Sequence, residues 1–180
     1  VMLQNSSFTE PAESVLESYS MPGKGELDPT PVMSVFYYIM FGLMFSDAGY
    51  GLIMAGVCGA CLLFFRNMPH NMKKNLRLFF WCGVSTIFWG VVFSSYFGDV
   101  VNAFSKTFMG HEVGIPPLWF APLDSPMKLL VFCLGIGVVH LVTAYIMKAC
   151  NYVKNRQYID IVYDVVFPVA ILSGLLILLM

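Results

Sequence analysis

The sequence predicts an all-α fold, a polytopic membrane helical bundle of about five transmembrane helices that begins with a tight helical hairpin. Of the 180 residues, 58% are hydrophobic and 12% are charged, whereas about a quarter of an ordinary soluble domain is charged. The charges are also segregated, because Leu78–Gly98 and Val165–Met180 carry none and Leu129–Met147 has only His140 as a potential cation. Each of these segments is close to the length of a transmembrane span.

The first apolar run, Val32–Phe65, contains a single charged residue, Asp47. At about 1.5 Å per residue, one helix over this run would be roughly 51 Å long, well beyond the roughly 30 Å of hydrocarbon in a bilayer. Ser46 and Asp47 are good helix N-cap residues, and Gly49 and Gly51 permit the backbone angles of a tight reversal. The sequence therefore predicts two closely packed helices joined near Asp47.

The other segments follow from the same alternation of apolar and polar stretches. We predict a cytoplasmic, exposed leader at 1–31, transmembrane spans at about 32–46, 48–65, 77–98, 127–150 and 158–180, a basic loop at 66–76 and a longer loop at 99–126. One tilted helix over the first run is the alternative to the hairpin, and it is disfavoured because a single span usually has about 17–25 residues.

Basic residues predict the orientation. They cluster near two loops, with Arg66, Lys73, Lys74 and Arg77 at the first and Lys148, Lys154 and Arg156 at the second, whereas 99–126 has only Lys106. Because cytoplasmic loops carry the excess of lysine and arginine, we predict that both basic loops are cytoplasmic and that 99–126 lies on the opposite side. A single tilted first helix would place the leader on that opposite side too.

Small residues four positions apart predict faces at which helices meet in lipid. Two pairs and one series have this spacing: Gly51 with Ala55, Gly56 with Ala60, and Gly90, Ser94 and Gly98 on the third span. Isolated pairs are common in membrane helices, so the series is the stronger indication. Pro168 predicts a bend in the fifth span, since proline leaves a backbone carbonyl without its helical donor.

Four acidic or imidazole side chains lie in or beside the spans: Asp47, His140, Asp160 and Asp164. An ionisable group inside a membrane suggests a function, but each has a structural alternative. For Asp47 a helix cap is favoured over a place on an ion path, and for His140 a neutral imidazole bonded to a neighbouring helix is favoured over a relay. Asp160 and Asp164 suit the solvated, dipole-matched start of the fifth span.

The sequence indicates no catalytic, cofactor-binding or metal-binding residues. Cys58 and Cys61 form a CxxC, yet the pair lies on a predicted membrane helix without a second pair, so both are expected to pack as small hydrophobes. The chain lacks a Gly-x-x-x-x-Gly-Lys-Ser/Thr nucleotide-binding loop, and its net charge of -1 does not favour a nucleic-acid partner.

Several motifs, in order, resemble one known family. They are Tyr19-Ser-Met-Pro-Gly-Lys-Gly-Glu-Leu-Asp-Pro-Thr-Pro31, Phe41-Gly-Leu-Met-Phe-Ser-Asp-Ala-Gly-Tyr-Gly51, Cys82-Gly-Val-Ser-Thr-Ile-Phe-Trp-Gly90, Phe97-Gly-Asp99, Pro117-Leu-Trp-Phe-Ala-Pro-Leu123 and the segment from Pro126 to His140. Together they resemble the start of the membrane domain of subunit I of bacterial V-type (V/A-type) ATPases, the relative of eukaryotic V-ATPase subunit a. The resemblance covers nearly the whole chain, and its weight comes from the order and spacing of the motifs.

The resemblance implies a membrane-embedded stator subunit in the Vo sector of a rotary ATPase, supporting H⁺ or Na⁺ translocation coupled to ATP hydrolysis or synthesis. Its implied partners are the proteolipid c-ring, other Vo and stalk subunits and membrane lipid, and its implied location is the cell membrane. The family's functional arginine belongs to late membrane helices, so we interpret the chain as a part of the subunit that lacks them, and no catalytic residue is carried over. The alternatives are a self-contained small transporter, disfavoured because no internal repeat is visible, and a membrane enzyme, for which no paired acid and base is visible.

Overall fold

The computed structural model describes residues 6–19, 21–23, 26–65, 67–98, 100, 105, 107, 118–120, 122 and 125–179, and within them every regular element is a helix. A short 3₁₀ turn, Glu10–Ala12, leads into α1 (Glu13–Tyr19), and the long helices are α2 (Thr30–Phe45), α3 (Ala48–Phe64), α4 (His70–Val92) and α5 (Pro126–Lys154). The last part comprises α6 (Tyr158–Ile161), a π-helical segment (Val162–Val166) and α7 (Phe167–Leu179).

The all-α prediction is confirmed for these residues, and two helices, α4 and α5, are long and apolar enough to cross a membrane. Helices α2 and α3 are shorter apolar helices. The chain forms two compact units, one made of Gln4–Met21 with Thr30–Cys133 and the other containing Pro22–Pro29 with Leu134–Met180.

In the first unit, α4 lies against both α2 and α3. Along α2, Gly42 approaches Ser85 of α4, while Tyr38 packs in a cluster with Leu78 and Cys82, so the numbering of the two helices increases in the same direction. Along α3 the order is reversed, because Ala48 meets Gly90 and Ala55 meets Gly83. Helices α2 and α3 therefore run in opposite directions, as the predicted hairpin requires.

The packing between α2 and α3 differs from the prediction. The chain does reverse at Ser46 and Asp47, so a single helix over the first apolar run is wrong. The two helices, however, make few contacts with each other, because each packs mainly against α4. Glycines let α4 approach both neighbours closely.

The predicted exposure of the leader is wrong for residues 8–16, whereas Glu17, Ser18 and Tyr19 are exposed as predicted. Pro11, Ala12 and Leu16 are buried, and the ring of Phe8 packs edge-to-face on Tyr38 and Trp81 at centroid distances of 5.1 and 4.9 Å. The polar composition of the leader concealed this apolar face.

Ion pairs join the same segment to α4, which begins earlier than predicted. Its first turns carry Lys74, whose Nζ lies 2.7 Å from Glu13, and Arg77, which lies 3.2 Å from Glu10. The expected loop at 66–76 is helical from His70 onward.

In the second unit, the fifth predicted span is helical from Tyr158 to Leu179. Pro168 lies two residues after the end of the π-helical segment at Val166, and the amide of Phe167 donates to the carbonyl of Val162. A proline without an N–H cannot satisfy the carbonyl four residues earlier, and a π turn is one way to accommodate that loss. Asp164 within this segment accepts from Tyr152 and pairs with Lys148 at 3.0 Å.

Candidate functional site at the helix reversal

Asp47 lies in the connection between α2 and α3, where the chain reverses. Ser46 adopts a left-handed backbone (φ 36°), and Asp47 is extended (φ −133°, ψ 116°). The Asp47 side chain caps α3, because Oδ1 accepts hydrogen bonds from the amides of Gly49 at 2.9 Å and Tyr50 at 3.2 Å. These amides would otherwise lack a partner in the first turn of a helix.

The same carboxylate holds the turn that follows α4. Oδ1 also accepts from the amide of Phe97 at 3.0 Å, and Oδ2 accepts from the hydroxyl of Ser95 at 3.2 Å and the amide of Gly98 at 2.7 Å. The backbone of this turn is held as well, since the Ala48 amide donates to the Ser95 carbonyl at 2.9 Å. We call Asp47, Gly49, Tyr50, Ser95, Phe97 and Gly98 the Asp47 cluster.

The hydrogen bonds keep the carboxylate ionised despite its burial. Only 6% of Asp47 is exposed, and burial alone raises a carboxyl pKa. Hydrogen bonds from the amides of Gly98, Phe97, Tyr50 and Gly49 outweigh that effect and bring the pKa below that of a free aspartate. The amide ends of a helix and a turn thus act as the counter-charge of Asp47.

The backbone of the cluster is unusual at several positions after α4. Ser94, Phe97 and Gly98 have positive φ values of 55°, 54° and 67°, and two of these residues have a side chain that disfavours this region. The carboxylate of Asp47 stabilises this turn, because it accepts from both Phe97 and Gly98.

Two sequence expectations for small residues are wrong here. Ser94 and Gly98 lie beyond the end of α4 at Val92, so they do not extend a packing stripe from Gly90. Gly49 and Gly51 lie inside α3, and among the described residues Gly98 is the glycine with positive φ. The reversal therefore does not use their backbone freedom.

Gly49, Gly51 and Gly90 instead permit close approach. A Cβ on Gly49 would lie 2.5 Å from the ring of Phe97, and one on Gly51 would lie 2.7 Å from the backbone nitrogen of Ile87. A Cβ on Gly90 would overlap the main chain at Asp47 and Ala48. Gly56, in contrast, has open space around it, so the second predicted small-residue pair has no contact at this position.

Sequence reasoning missed two further glycines and the partners of Asp47. Gly42 meets the backbone of Ser85, and Gly83 meets the backbone of Ala55. The seven-residue spacing of Gly83 and Gly90, two turns of one helix face, was the available signal. Nothing local in the sequence indicated that Ser95, Phe97 and Gly98 would donate to Asp47, because the contact joins segments about fifty residues apart.

An aromatic layer adjoins the end of α4. Phe93 is 1% exposed and stacks on Trp89 at a centroid distance of 5.7 Å. Phe120 lies 5.1 Å from Phe93, and Trp119 lies 4.9 Å from Phe132. The parts of the 99–126 loop that are described thus pack against α4 and the start of α5.

The other candidate residues are not among the hydrogen-bond partners of Asp47. His140 is half-buried on α5 in the second compact unit, and Asp160 is exposed at α6. Cys58 is buried and Cys61 half-buried on α3. Within the described part of the chain, no three His, Cys, Asp or Glu side chains gather where they could hold a metal ion. Arg66, Asp99, Lys106 and Pro117 lie outside the described residues.

The donor set determines what the cluster can do. Two carboxylate oxygens have about four lone-pair positions, and five donors already occupy them. A cation would need oxygen ligands here and would instead meet N–H and O–H groups. The geometry is that of a structural junction joining two helix ends and a turn.

Comparison with known proteins identifies the family. The profile of the V-type ATPase 116 kDa subunit family matches residues 2–112. The chain is similar to the A-type ATP synthase subunit I of Thermococcus kodakarensis, with 29% identity over 91% of this chain and 25% of that protein. It is also similar to the V-type ATP synthase subunit I of Borreliella burgdorferi (22% identity; 85% of this chain, 24% of that protein) and to the V-type proton ATPase subunit a of Schizosaccharomyces pombe (23%; 89% and 23%).

The chain spans about a quarter of the length of the curated relatives it matches. The family profile nevertheless covers more than half of the chain, and the similarity to the relatives extends over most of it, including the reversal and the helices on either side. On these grounds, the chain belongs to the V-type ATPase 116 kDa subunit family.

Proposed function

We propose that this chain is part of the membrane-embedded stator subunit of a rotary V/A-type ATPase. In this role it supports translocation of H⁺ or Na⁺ coupled to ATP hydrolysis or synthesis. Family membership is the observation that carries the proposal, and the apolar helices α2 to α5 support a membrane location. The proposal extends to multi-pass insertion in the cell membrane, with spans at about 32–46, 48–65, 77–98, 127–150 and 158–180 and a cytoplasmic leader at 1–31.

We assign the Asp47 cluster a structural role within this subunit. It ties the reversal between α2 and α3 to the turn after α4, at the end of the helices away from the basic residues. Both observations favour a cap and clamp over a place on the ion path: the pKa of Asp47 is lowered, and its oxygens face donors. A proton carrier needs a carboxyl that gains and loses a proton near working pH.

The partners we propose are the proteolipid c-ring and other Vo and stalk subunits. The chain contributes no catalytic residue in this proposal, so ATP hydrolysis belongs to other subunits of the complex. The packed block of α2, α3 and α4 serves as a rigid support, because close glycine contacts leave little room for these helices to slide.

The experiment is a substitution that disturbs this block in the full-length protein. Gly90→Val places a branched side chain against the main chain of Asp47 and Ala48, whereas Gly56→Val occupies open space. We expect Gly90→Val to reduce both the assembled ATPase in membranes and ATP-driven ion uptake in vesicles, and Gly56→Val to leave both near wild type. Normal ATP-driven uptake in membranes that lack this chain would contradict the proposal.

A further inference from the structure

A groove lies within the second compact unit, between α5 and α7. The connection at 155–157 follows α5, and α7 begins after α6 and the π-helical segment. Helices α5 and α7 make little direct contact with each other. The space between them is about 740 Å³. Its walls are almost entirely apolar, with Val142, Ala149 and Val153 on α5 and Val166 and Ala170 on the other side.

The described lining of the groove is about as long as one bilayer leaflet on the α5 side and shorter on the other. From Val142 to Lys154 the α5 wall follows about 18 Å of helix at 1.5 Å per residue, and the facing wall from Val165 to Ala170 follows about 8 Å. Half of a hydrocarbon core of roughly 30 Å is about 15 Å. A lipid acyl chain from one leaflet can lie along this length.

The charge at the groove is confined to one end. Lys154 is the charged residue of the described lining, and it lies where α5 ends. The other charges of this region do not offset it within the groove: Asp164 is paired with Lys148 at 3.0 Å, and neither Asp164 nor Asp160 lines the groove. An apolar slot with one cation at its mouth is complementary to a lipid with an anionic headgroup.

We propose that this groove binds one acyl chain of an anionic phospholipid, with the phosphate of its headgroup at Lys154. The inference rests on the proposed membrane location of the chain, but it does not depend on which side of the membrane Lys154 faces. The bound lipid would fill the space between α5 and α7 and hold the two helices at a fixed separation.

The test compares two lipids with the same acyl chains on the full-length protein purified in detergent. Phosphatidylglycerol is anionic and phosphatidylcholine is zwitterionic, and native mass spectrometry counts the molecules retained per chain. We expect preferential retention of phosphatidylglycerol, reduced about fivefold by Lys154→Ala, the effect typical of one basic side chain at an anionic lipid surface. Lys128→Ala is the matched control, because Lys128 is exposed at the other end of α5.

A second pair of variants tests the apolar part of the site. Ala170→Trp fills the groove and should displace the lipid, whereas Ala144→Trp adds the same ring to an exposed position that does not line it. Equal retention of the two lipids, or retention unchanged by Ala170→Trp, would overturn the proposal. So would a photo-crosslinker at Val169 that captures another polypeptide segment in the assembled complex. Lipid retention is measured on protein in detergent, which does not report the topology in a membrane. A negative result would therefore contradict the lipid site without contradicting the proposed stator role or topology.

Discussion

Replacing Asp47 is the substitution whose effect on stability can be worked out most completely from the structure. Asp47→Ala removes both the cap of α3 and the clamp on the turn after α4, leaving five donors without their acceptor. Asp47→Asn is the informative comparison, because asparagine caps helices about as well as aspartate. Its carbonyl can keep the bonds from Gly49, Tyr50 and Phe97, while its NH₂ group would face the donors of Ser95 and Gly98.

The expected magnitudes follow from these bonds. Loss of a cap costs about 1 kcal/mol, and a buried donor left unsatisfied costs about 1–3 kcal/mol. Since some of the freed donors will reach water, we expect Asp47→Ala to lower the free energy of unfolding by about 3–5 kcal/mol. For Asp47→Asn the loss should be about 2 kcal/mol, because the cap is kept and two of the three hydrogen bonds to the turn are lost. Ser95→Ala, which removes one neutral donor, should cost about 1 kcal/mol or less.

The assay is denaturant unfolding of the full-length protein in lipid nanodiscs, at several pH values. The Asp47 pKa is lowered on folding, so its stabilisation is complete above the free-aspartate value of about 3.9 and is lost as pH falls through the lower folded value. Asp47→Asn should remove that acid dependence. Equal unfolding free energies for wild type, Asp47→Ala and Asp47→Asn would refute the clamp. Loss of ion pumping in Asp47→Asn with normal stability and assembly would place Asp47 on the ion path instead.

Three further predictions concern other parts of the chain. Gly51→Val should destabilise the α3 contact with α4 by at least about 3 kcal/mol, since the added atoms meet the backbone of Ile87, and Gly56→Val should change the unfolding free energy by less than 1 kcal/mol. Lys74→Ala should expose the Ser6–Tyr19 segment to hydrogen exchange and protease, because the ion pair between Lys74 and Glu13 at 2.7 Å is lost, whereas Glu17→Gln at an exposed position should not. The hydrogen bond from Lys74 to Glu13 raises the Lys74 pKa, so this protection should persist below about pH 10.4 and disappear as pH rises through the higher folded value. Residues 1–180 alone in liposomes should show no saturable H⁺ or Na⁺ flux under an imposed potential, and a flux abolished by changing Asp47 or His140 would favour the self-contained transporter.

The parts of the fold that sequence reasoning recovered are those fixed by local chemistry. Ser46 and Asp47 interrupt an apolar run, and Asp47 caps the next helix in the structure as its residue type predicts. The sequence also predicted a bend at Pro168, because a missing N–H must be accommodated within one turn. The structure has a π-helical segment just before this residue, and the bend itself stays a prediction. Both predictions depend on neighbours within five residues.

Long-range contacts explain what was missed. The leader was predicted to be exposed because its acidic residues suit solvent, yet Glu13 is buried against Lys74 from a distant segment. The three-residue small stripe failed because helix α4 ends at Val92, where the turn is held by local backbone hydrogen bonds and also by the distant Asp47. The position of α4 against both α2 and α3 depends on glycine contacts with distant segments; the spacing of Gly83 and Gly90 marks a face of α4 but does not name its partners.

The central claim, a membrane-embedded block whose leader and reversal lie on opposite sides, is tested most directly by cysteine accessibility in sealed vesicles. The five native cysteines are replaced, and single cysteines are placed at exposed positions, Ser18, Asn71, Asn155 and Leu118. We predict that an impermeant maleimide labels the first three from the cytoplasmic side and Leu118 from the opposite side. Labelling of Ser18 and Leu118 from the same side would contradict the account.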